Sequence, residues 1–257
     1  MPVPVIIEKI SCLLVLFLVA SCTGSKKTGT SGTSGKTISE ETRQEEARYM
    51  PADTEPAVPD TTFLRYGLVD MARLDPTIPI RLAYAAADNF TGKVLYKQLR
   101  TAWLRPEAAA MLTEAQKRLR ERRPELSLII YDAARPFHVQ EEMWNLVKGT
   151  PMRYYVANPK KGGGLHNYAM AVDVTLIDGS GHPLPMGSPY DSPVEESHIT
   201  GEEALLAAGK ITKEAYDNRL LLRNVMRAAG FRTIQREWWH FNACTLKEAR
   251  EKYPLIP

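Results

Sequence analysis

A change in composition near residue 60 is the feature that most constrains the fold. Residues 23–60 are rich in Gly, Ser, Thr, Lys, Glu and Pro and contain few large apolar side chains. Such a stretch buries too little apolar surface to offset the entropy lost on ordering, so we interpret residues 22–60 as a flexible tether. A compact fold is therefore confined to residues 61–257, which is long enough for one domain with its own core.

An apolar segment precedes the tether. Residues 10–20 read ISCLLVLFLVA, a run that fits a signal-peptide core and is too short to span a bilayer comfortably. Two small residues and then Cys22 close this run, which resembles the bacterial lipobox. We therefore predict a signal peptide over residues 1–21, lipidation of Cys22, and an exported protein held on a bacterial membrane only by that lipid. An uncleaved anchor, or an ordinary signal peptide with an incidental cysteine, is the alternative.

Charge and cysteine content exclude some classes of partner and chemistry. The net charge is only +3, and the chain shows no long basic run and no nucleic-acid-binding motif. We therefore expect no nucleic-acid partner. If Cys12 leaves with the signal peptide and Cys22 carries lipid, Cys244 has no disulfide partner. We expect Cys244 to be a small apolar residue and not a nucleophile.

The periodicity of residues 61–257 mixes helices with short strands. Helices are predicted over 106–122, 137–147 and 211–230, the last with a C-cap at Gly230, and strands over 126–133, 171–177 and 237–243. Helices grouped apart from short strands favour the α+β class. We predict a single domain with a small, mainly antiparallel sheet flanked by helices.

Three residues far apart in the sequence have the chemistry of a metal site. His166 lies in a glycine-rich loop, Asp173 follows on a predicted strand, and His240 lies near the C-terminus. Two imidazoles and one carboxylate form a common ligand set for catalytic zinc. Glu237 is the candidate general base. On a regular strand Glu237 and His240 would point to opposite faces, so the pair needs a bulge or a strand end, or else Glu237 lies outside the ligand set.

Two motifs identify a family resemblance. HNYAMAVD together with EWWH resembles the M15 family of zinc peptidases, and within it the VanX-type D-alanyl-D-alanine dipeptidases. The resemblance implies a Zn²⁺ site at the sheet, formed by His166, Asp173 and His240, with Glu237 as general base and free D-Ala-D-Ala as substrate. Gly164 stands where the family usually has serine, and Ala169 where it has glycine.

Other segments extend the resemblance to the substrate pocket. In YDAARP, Arg135 matches the family arginine that reaches the scissile carbonyl, with Asp132 orienting it. In MGSPYD, Asp191 matches the aspartate that binds the substrate ammonium, and Tyr84 belongs to the N-terminal pocket region. The structural alternatives are an Arg135–Asp132 ion pair, a loop cap for Asp191 and a core position for Tyr84.

Two other functions remain open from the sequence. The first is a D,D-carboxypeptidase or endopeptidase of the same family that acts on peptidoglycan peptides. The second is a non-catalytic wall-binding lipoprotein that retains the fold. A carboxylate that binds a free ammonium favours the dipeptidase, because it requires an N-terminus one residue from the cleaved bond.

Overall fold

The computed structural model describes residues 61–257. The predicted signal peptide, the lipidation of Cys22 and the tether to residue 60 lie outside the described residues. Within residues 61–257, no helix has the length and apolar character needed to cross a bilayer.

Helices and short antiparallel strands alternate along the described chain. The helices are α1 (Thr61–Arg65), α2 (Met71–Leu74), α3 (Pro106–Arg122), α4 (Phe137–Val147), α5 (Glu202–Ala207), α6 (Lys213–Ala228) and α7 (Leu246–Lys252). The strands are β1 (Val69–Asp70), β2 (Trp103–Leu104), β3 (Ser127–Asp132), β4 (Ala171–Ile177), β5 (Arg232–Thr233) and β6 (His240–Asn242). The predicted α+β class, with small antiparallel sheets flanked by helices, is confirmed.

The central sheet has the strand order β3-β4-β6-β5, and β4 is buried on both faces. Successive side chains of a strand point to opposite faces, so the apolar residues Val172, Val174 and Leu176 share one face. All three are fully buried in the main core, where α3 contacts β3 and α6 contacts β4. Asp173 therefore points to the other face of the sheet.

A β-bulge brings a second carboxylate to that face. Ile130 pairs with Val174, but the next pair joins Asp132 to Asp173, which leaves Tyr131 as an extra residue in β3. Bulges of this kind re-aim side chains. On the other side of β4, His240 pairs with Asp173. Asp132, Asp173 and His240 thus form one row across three adjacent strands.

The last predicted strand is shorter than expected. Residues 238–239 form a turn, and the strand begins only at His240. The backbone amide of Trp238 donates to the carbonyl of Ser197 and not to the sheet, whereas the carbonyl of Trp239 accepts from the amide of Val174 in β4. The strand-end alternative for Glu237 and His240 therefore describes the structure, because Glu237 precedes the alternating strand.

The helix predicted over residues 211–230 ends slightly earlier than expected. α6 runs from Lys213 to Ala228, with Ala229 as its C-cap. Gly230 follows at φ +104°, a left-handed conformation that favours glycine. Gly230 therefore occupies the position after the C-cap and ends the helix there.

Candidate active site

Three side chains from separate elements meet at the face of the central sheet that carries Asp173. His166 comes from a short 3₁₀ turn before β4, Asp173 from β4 and His240 from the start of β6. His240 Nδ1 lies 3.0 Å from Asp173 Oδ1 and 3.1 Å from His166 Nε2, and His166 Nε2 lies 3.3 Å from Asp173 Oδ1. One ligand atom from each residue lies within 4.8 Å of the others, so the group could hold a metal ion.

The opposite atom of each histidine already has a hydrogen-bond partner. His166 Nδ1 lies 2.7 Å from the carbonyl oxygen of Ala133, which can only accept, so this nitrogen carries the proton. His240 Nε2 lies 2.7 Å from Asn242 Oδ1. These contacts leave His166 Nε2 and His240 Nδ1 to face each other and Asp173 Oδ1, where each nitrogen would give its lone pair to a bound metal ion. Outer partners that fix the imidazole tautomer are typical of metal-binding histidines, so the residues present fit a metal ion.

The acidity of Asp173 suits a ligand. Burial alone would raise its pKa, but the neighbouring His166 and His240 outweigh this effect and lower the pKa of Asp173 well below its usual value. The carboxylate is therefore ionised at neutral pH, which is the form that binds a cation.

Glu237 lies beside this cluster in a cavity. Its Oε2 is 3.8 Å from His240 Nδ1, and its side chain is 16% exposed. Burial raises the pKa of Glu237 to about 7, with Asp173 and Asp191 adding to the rise and His240 opposing it. A carboxyl group with this pKa can both accept and release a proton near neutral pH. Glu237, His166, Asp173 and His240 all line the same cavity.

Arg135 also lines the cavity and is held rigidly. Its Nε and Nη2 both donate to Asp132 Oδ2, at 3.1 and 2.6 Å, and its Nη1 donates to Gln140 Oε1 at 3.0 Å. Asp132 is fully buried, and Tyr96 donates to its other oxygen at 2.5 Å. The ion pair that the sequence offered as an alternative is therefore present. It also orients a guanidinium group that borders the cavity, so the two interpretations are compatible.

Asp191 and Tyr84 meet at another part of the cavity. Tyr84 Oη donates to Asp191 Oδ1 at 2.9 Å, and the backbone amide of Phe90 donates to Asp191 Oδ2 at 3.1 Å. Burial raises the pKa of Asp191 to about 7, although these two hydrogen bonds oppose the rise. Tyr84 is buried in the core, and the guanidinium carbon of Arg135 lies 5.1 Å from its ring centre. Tyr84 is thus both a core residue and a cavity wall.

The other histidines of the described residues lie apart from the metal cluster. His138 and His182 are exposed, and His198 contacts Tyr155. Trp238 and Trp239 are buried, and Trp239 lines the same cavity as the metal cluster. Cys244 is a half-buried free thiol.

The two departures from the family motif have local structural consequences. Ala169 adopts φ +57°, which costs a residue with a Cβ roughly 1–2 kcal/mol and explains why glycine suits this position. At Gly164, an added Cβ would lie 3.1 Å from the Cβ of Ala157, so a larger side chain would require a small shift there.

Several residues of the site were not predicted from the sequence. They are Gln140 beside Arg135, the Phe90 amide on Asp191, Asn242 on His240, and Tyr190, whose hydroxyl donates to Asp173 Oδ2 at 3.1 Å. Asn242 had a usable signal, because residues two apart on a strand share a face. The other contacts depend on the tertiary fold.

A histidine–aspartate–histidine cluster with a carboxyl group of raised pKa beside it is typical of metal-dependent hydrolases. The family profile described as D-ala-D-ala dipeptidase, Peptidase M15, matches residues 65–254. This chain therefore belongs to the M15 peptidase family and is a metallopeptidase, as its motifs predicted.

Individual relatives agree with the family assignment. The chain is 38% identical over 189 residues to the D-alanyl-D-alanine dipeptidase of Escherichia coli K12. The matched region covers 74% of this chain and 89% of that protein. It is 28% identical over 180 residues to the D-alanyl-D-alanine dipeptidase of Enterococcus faecium, covering 62% of this chain and 82% of that protein. The corresponding enzyme of Enterococcus faecalis is 29% identical over 192 residues, with 66% and 86% covered.

Proposed function

We propose that this protein hydrolyses free D-alanyl-D-alanine to two D-alanines, with Zn²⁺ held by His166 Nε2, Asp173 Oδ1 and His240 Nδ1. The observation that carries the proposal is the convergence of these three atoms within 4.8 Å in a cavity that Glu237 also lines. The substrate is proposed from the relatives, all three of which are named D-alanyl-D-alanine dipeptidase.

Glu237 carries the protons in this reaction. A bound zinc ion supplies Lewis acidity, which polarises a carbonyl and lowers the pKa of water toward about 7. The Glu237 carboxylate accepts the proton of the attacking water and then donates it to the departing amine. A pKa raised to about 7 by burial suits a group that must do both.

Arg135 stabilises the negative charge that develops on the carbonyl oxygen. Its guanidinium borders the cavity, and Asp132 and Gln140 restrict its orientation. A donor that is already oriented needs no rearrangement as the charge forms, which makes it most effective in the transition state.

Asp191 binds the free ammonium of the dipeptide. Its carboxylate lies at the cavity wall and is oriented by Tyr84 and the Phe90 amide. A half-buried carboxylate there favours a substrate with a positive charge one residue from the cleaved bond. This requirement favours a dipeptidase over an enzyme that acts on long peptides.

The variant Glu237→Gln tests the mechanism. We expect a loss of at least about 10²-fold in kcat, the scale of general acid–base catalysis, with zinc content unchanged because Glu237 is outside the ligand set. Hydrolysis of D-Ala-D-Ala and metal content are measured together on the purified protein. Glu121→Gln, which changes an exposed glutamate on α3, is the matched control and is expected to behave as wild type. Wild-type kcat in Glu237→Gln would refute the role of Glu237.

The substrate assignment is tested with three compounds. D-Ala-D-Ala is expected to be cleaved, whereas N-acetyl-D-Ala-D-Ala and a pentapeptide ending in D-Ala-D-Ala are expected to be poor substrates because they lack the adjacent ammonium. Faster cleavage of the pentapeptide would instead assign a carboxypeptidase. No cleavage of any compound by zinc-loaded protein would favour a wall-binding role.

We also propose that the domain is carried outside the cytoplasm on a lipid attached to Cys22. The support is the apolar run that ends in small residues and this cysteine. Such a location favours a role in cell-wall metabolism or recycling of wall dipeptides. Fractionation of cells that express the wild type and Cys22→Ser tests the proposal, and a wild-type protein found in the cytosol would refute it.

A further inference from the structure

The two oxygens of the Asp173 carboxylate have different partners. Oδ1 faces the cluster, at 3.0 Å from His240 Nδ1 and 3.3 Å from His166 Nε2. Oδ2 accepts a hydrogen bond from Tyr190 Oη at 3.1 Å. One oxygen is therefore available to a metal ion, and the other is engaged by a phenol.

We propose that Tyr190 is a positioning residue that keeps Asp173 a one-oxygen ligand of the catalytic metal. The inference rests on the proposed function, because it assumes that Asp173 binds the metal. Tyr190 acts through Asp173 and needs no contact with the substrate.

The surroundings of Tyr190 hold its hydroxyl in place. The ring packs against Tyr131, with ring centres 4.7 Å apart, and against Trp239 at 5.3 Å. The next residue, Asp191, adopts φ +60° and accepts hydrogen bonds from Tyr84 and the Phe90 amide. Both the ring and the adjacent backbone are thus fixed. A phenol keeps its proton at neutral pH, so it acts as a donor to Oδ2.

The hydrogen bond matters because a carboxylate can bind a cation with one oxygen or with two. A catalytic zinc site has three protein ligands and a fourth position for water or substrate. If Oδ2 were released, it could compete for that position. Outer partners of metal ligands also raise metal affinity, and their loss typically weakens binding about 10–100-fold.

The same segment links the metal ligand to the proposed ammonium site. Tyr190 contacts Asp173, and its neighbour Asp191 contacts Tyr84. A shift of Tyr190 would therefore be transmitted to Asp191. This connection predicts that loss of the phenol affects metal binding first and substrate affinity second.

Replacement of Tyr190 by phenylalanine tests the inference, because it removes the hydroxyl and retains the ring that packs against Trp239. Zinc affinity is measured by competition with a chromophoric chelator. We expect Tyr190→Phe to bind zinc at least about tenfold more weakly than wild type. With cobalt(II) in place of zinc, we expect weaker visible absorption bands, because these bands lose intensity when the coordination number rises above four.

Tyr253→Phe is the matched control. Tyr253 is also a half-buried tyrosine whose hydroxyl donates to a carboxylate, Glu107 Oε1 at 2.8 Å, but it lies outside the cavity. Its zinc affinity and cobalt spectrum are expected to equal those of wild type. A general loss of stability would affect both variants, whereas the proposed role affects only Tyr190→Phe.

Zinc affinity within twofold of wild type and an unchanged cobalt spectrum in Tyr190→Phe would overturn the inference. This result differs from failure of the proposed function. A wild-type protein that binds zinc but does not cleave D-Ala-D-Ala would refute the proposed substrate while leaving the Tyr190 comparison valid. A wild-type protein that binds no zinc would refute both.

Discussion

The three carboxyl groups that line the cavity, those of Asp173, Asp191 and Glu237, respond differently to pH. Asp173 is held ionised by two imidazoles, whereas Asp191 and Glu237 have pKa values raised to about 7 by burial. Carboxyl groups in one cavity thus differ in protonation near neutral pH. Such a separation is typical of sites in which carboxylates have different roles.

The free energy of unfolding of Asp191→Asn, measured against pH, tests the raised pKa of Asp191. The pKa of Asp191 is raised from 3.8 to about 7, so the folded protein binds this proton more tightly than the unfolded chain does. Stability from this group is fully present below pH 4 and is lost as the pH rises through 7. We therefore expect Asp191→Asn to gain stability relative to wild type as the pH rises from 4 to 8. Urea unfolding at several pH values measures the difference, and a pH-independent difference would contradict the raised pKa.

The same variant provides a kinetic readout. If the ionised Asp191 carboxylate binds the substrate ammonium, the KM of wild type for D-Ala-D-Ala should increase as the pH falls below about 7. Asp191→Asn should have a higher KM throughout. A KM equal to that of wild type would exclude Asp191 as the ammonium site.

The identity of the site residues was predictable, but their contacts were not. His166, Asp173, Glu237 and His240 were predicted because they stand in two short motifs that resemble those of the M15 family. Tyr190 had no such signal, because its contact with Asp173 depends on the path of the loop between them. Sequence spacing also could not show whether Arg135 is structural or catalytic, since the same ion pair serves both roles.

At the scale of elements, periodicity predicted the helices and strands that have a continuous buried face. α3 and β4 have the predicted bounds because their apolar patterns are uninterrupted. The prediction of a strand over 237–239 was wrong because its aromatic residues resemble a strand, while the Trp238 amide donates to Ser197 and only the Trp239 carbonyl is bonded to β4. The bulge at Tyr131 was also unpredictable, because it depends on the pairing with β4.

A buried arginine in α6 holds the segment that carries Asp191. Arg219 is 1% exposed, and it donates to the carbonyl oxygens of Met186 and Glu196 and pairs with Glu202. These contacts tie the segment between Met186 and Glu196 to the helix. The geometry of the Asp191 loop therefore depends on α6.

Arg219→Met should be strongly destabilising. It leaves buried carbonyl groups without their donor and removes a partner of Glu202, so we expect a loss of about 3 kcal/mol in the free energy of unfolding. Urea unfolding measures the change. Arg223→Met is the control, because Arg223 pairs with the same Glu202 from a more exposed position, at 13% exposure, and should cost less. An equal loss in both variants would assign the effect to the charge of Glu202 and not to the buried carbonyl contacts.

For the whole molecule, metal and fold should stabilise each other. The ligands come from a 3₁₀ turn and two strands that meet only in the folded chain. An ion that binds only the folded state adds about 4 kcal/mol when its free concentration is 1,000 times Kd. We expect chelation to lower the Tm of wild type and to have no effect on His166→Ala. Thermal unfolding with and without chelator measures the change in Tm. His182→Ala, which replaces an exposed histidine outside the metal cluster, is the control and should respond to the chelator as wild type does.

The row of Asp132, Asp173 and His240 has a consequence for synthesis of the chain. Its members come from three strands, and His240 follows Asp173 by 67 residues in the sequence. Ribosomes release a chain from its N-terminus onward, so a growing polypeptide lacks the last member of the row until His240 has emerged. Chains that stop before His240 would therefore lack a complete metal site and would not cleave peptides.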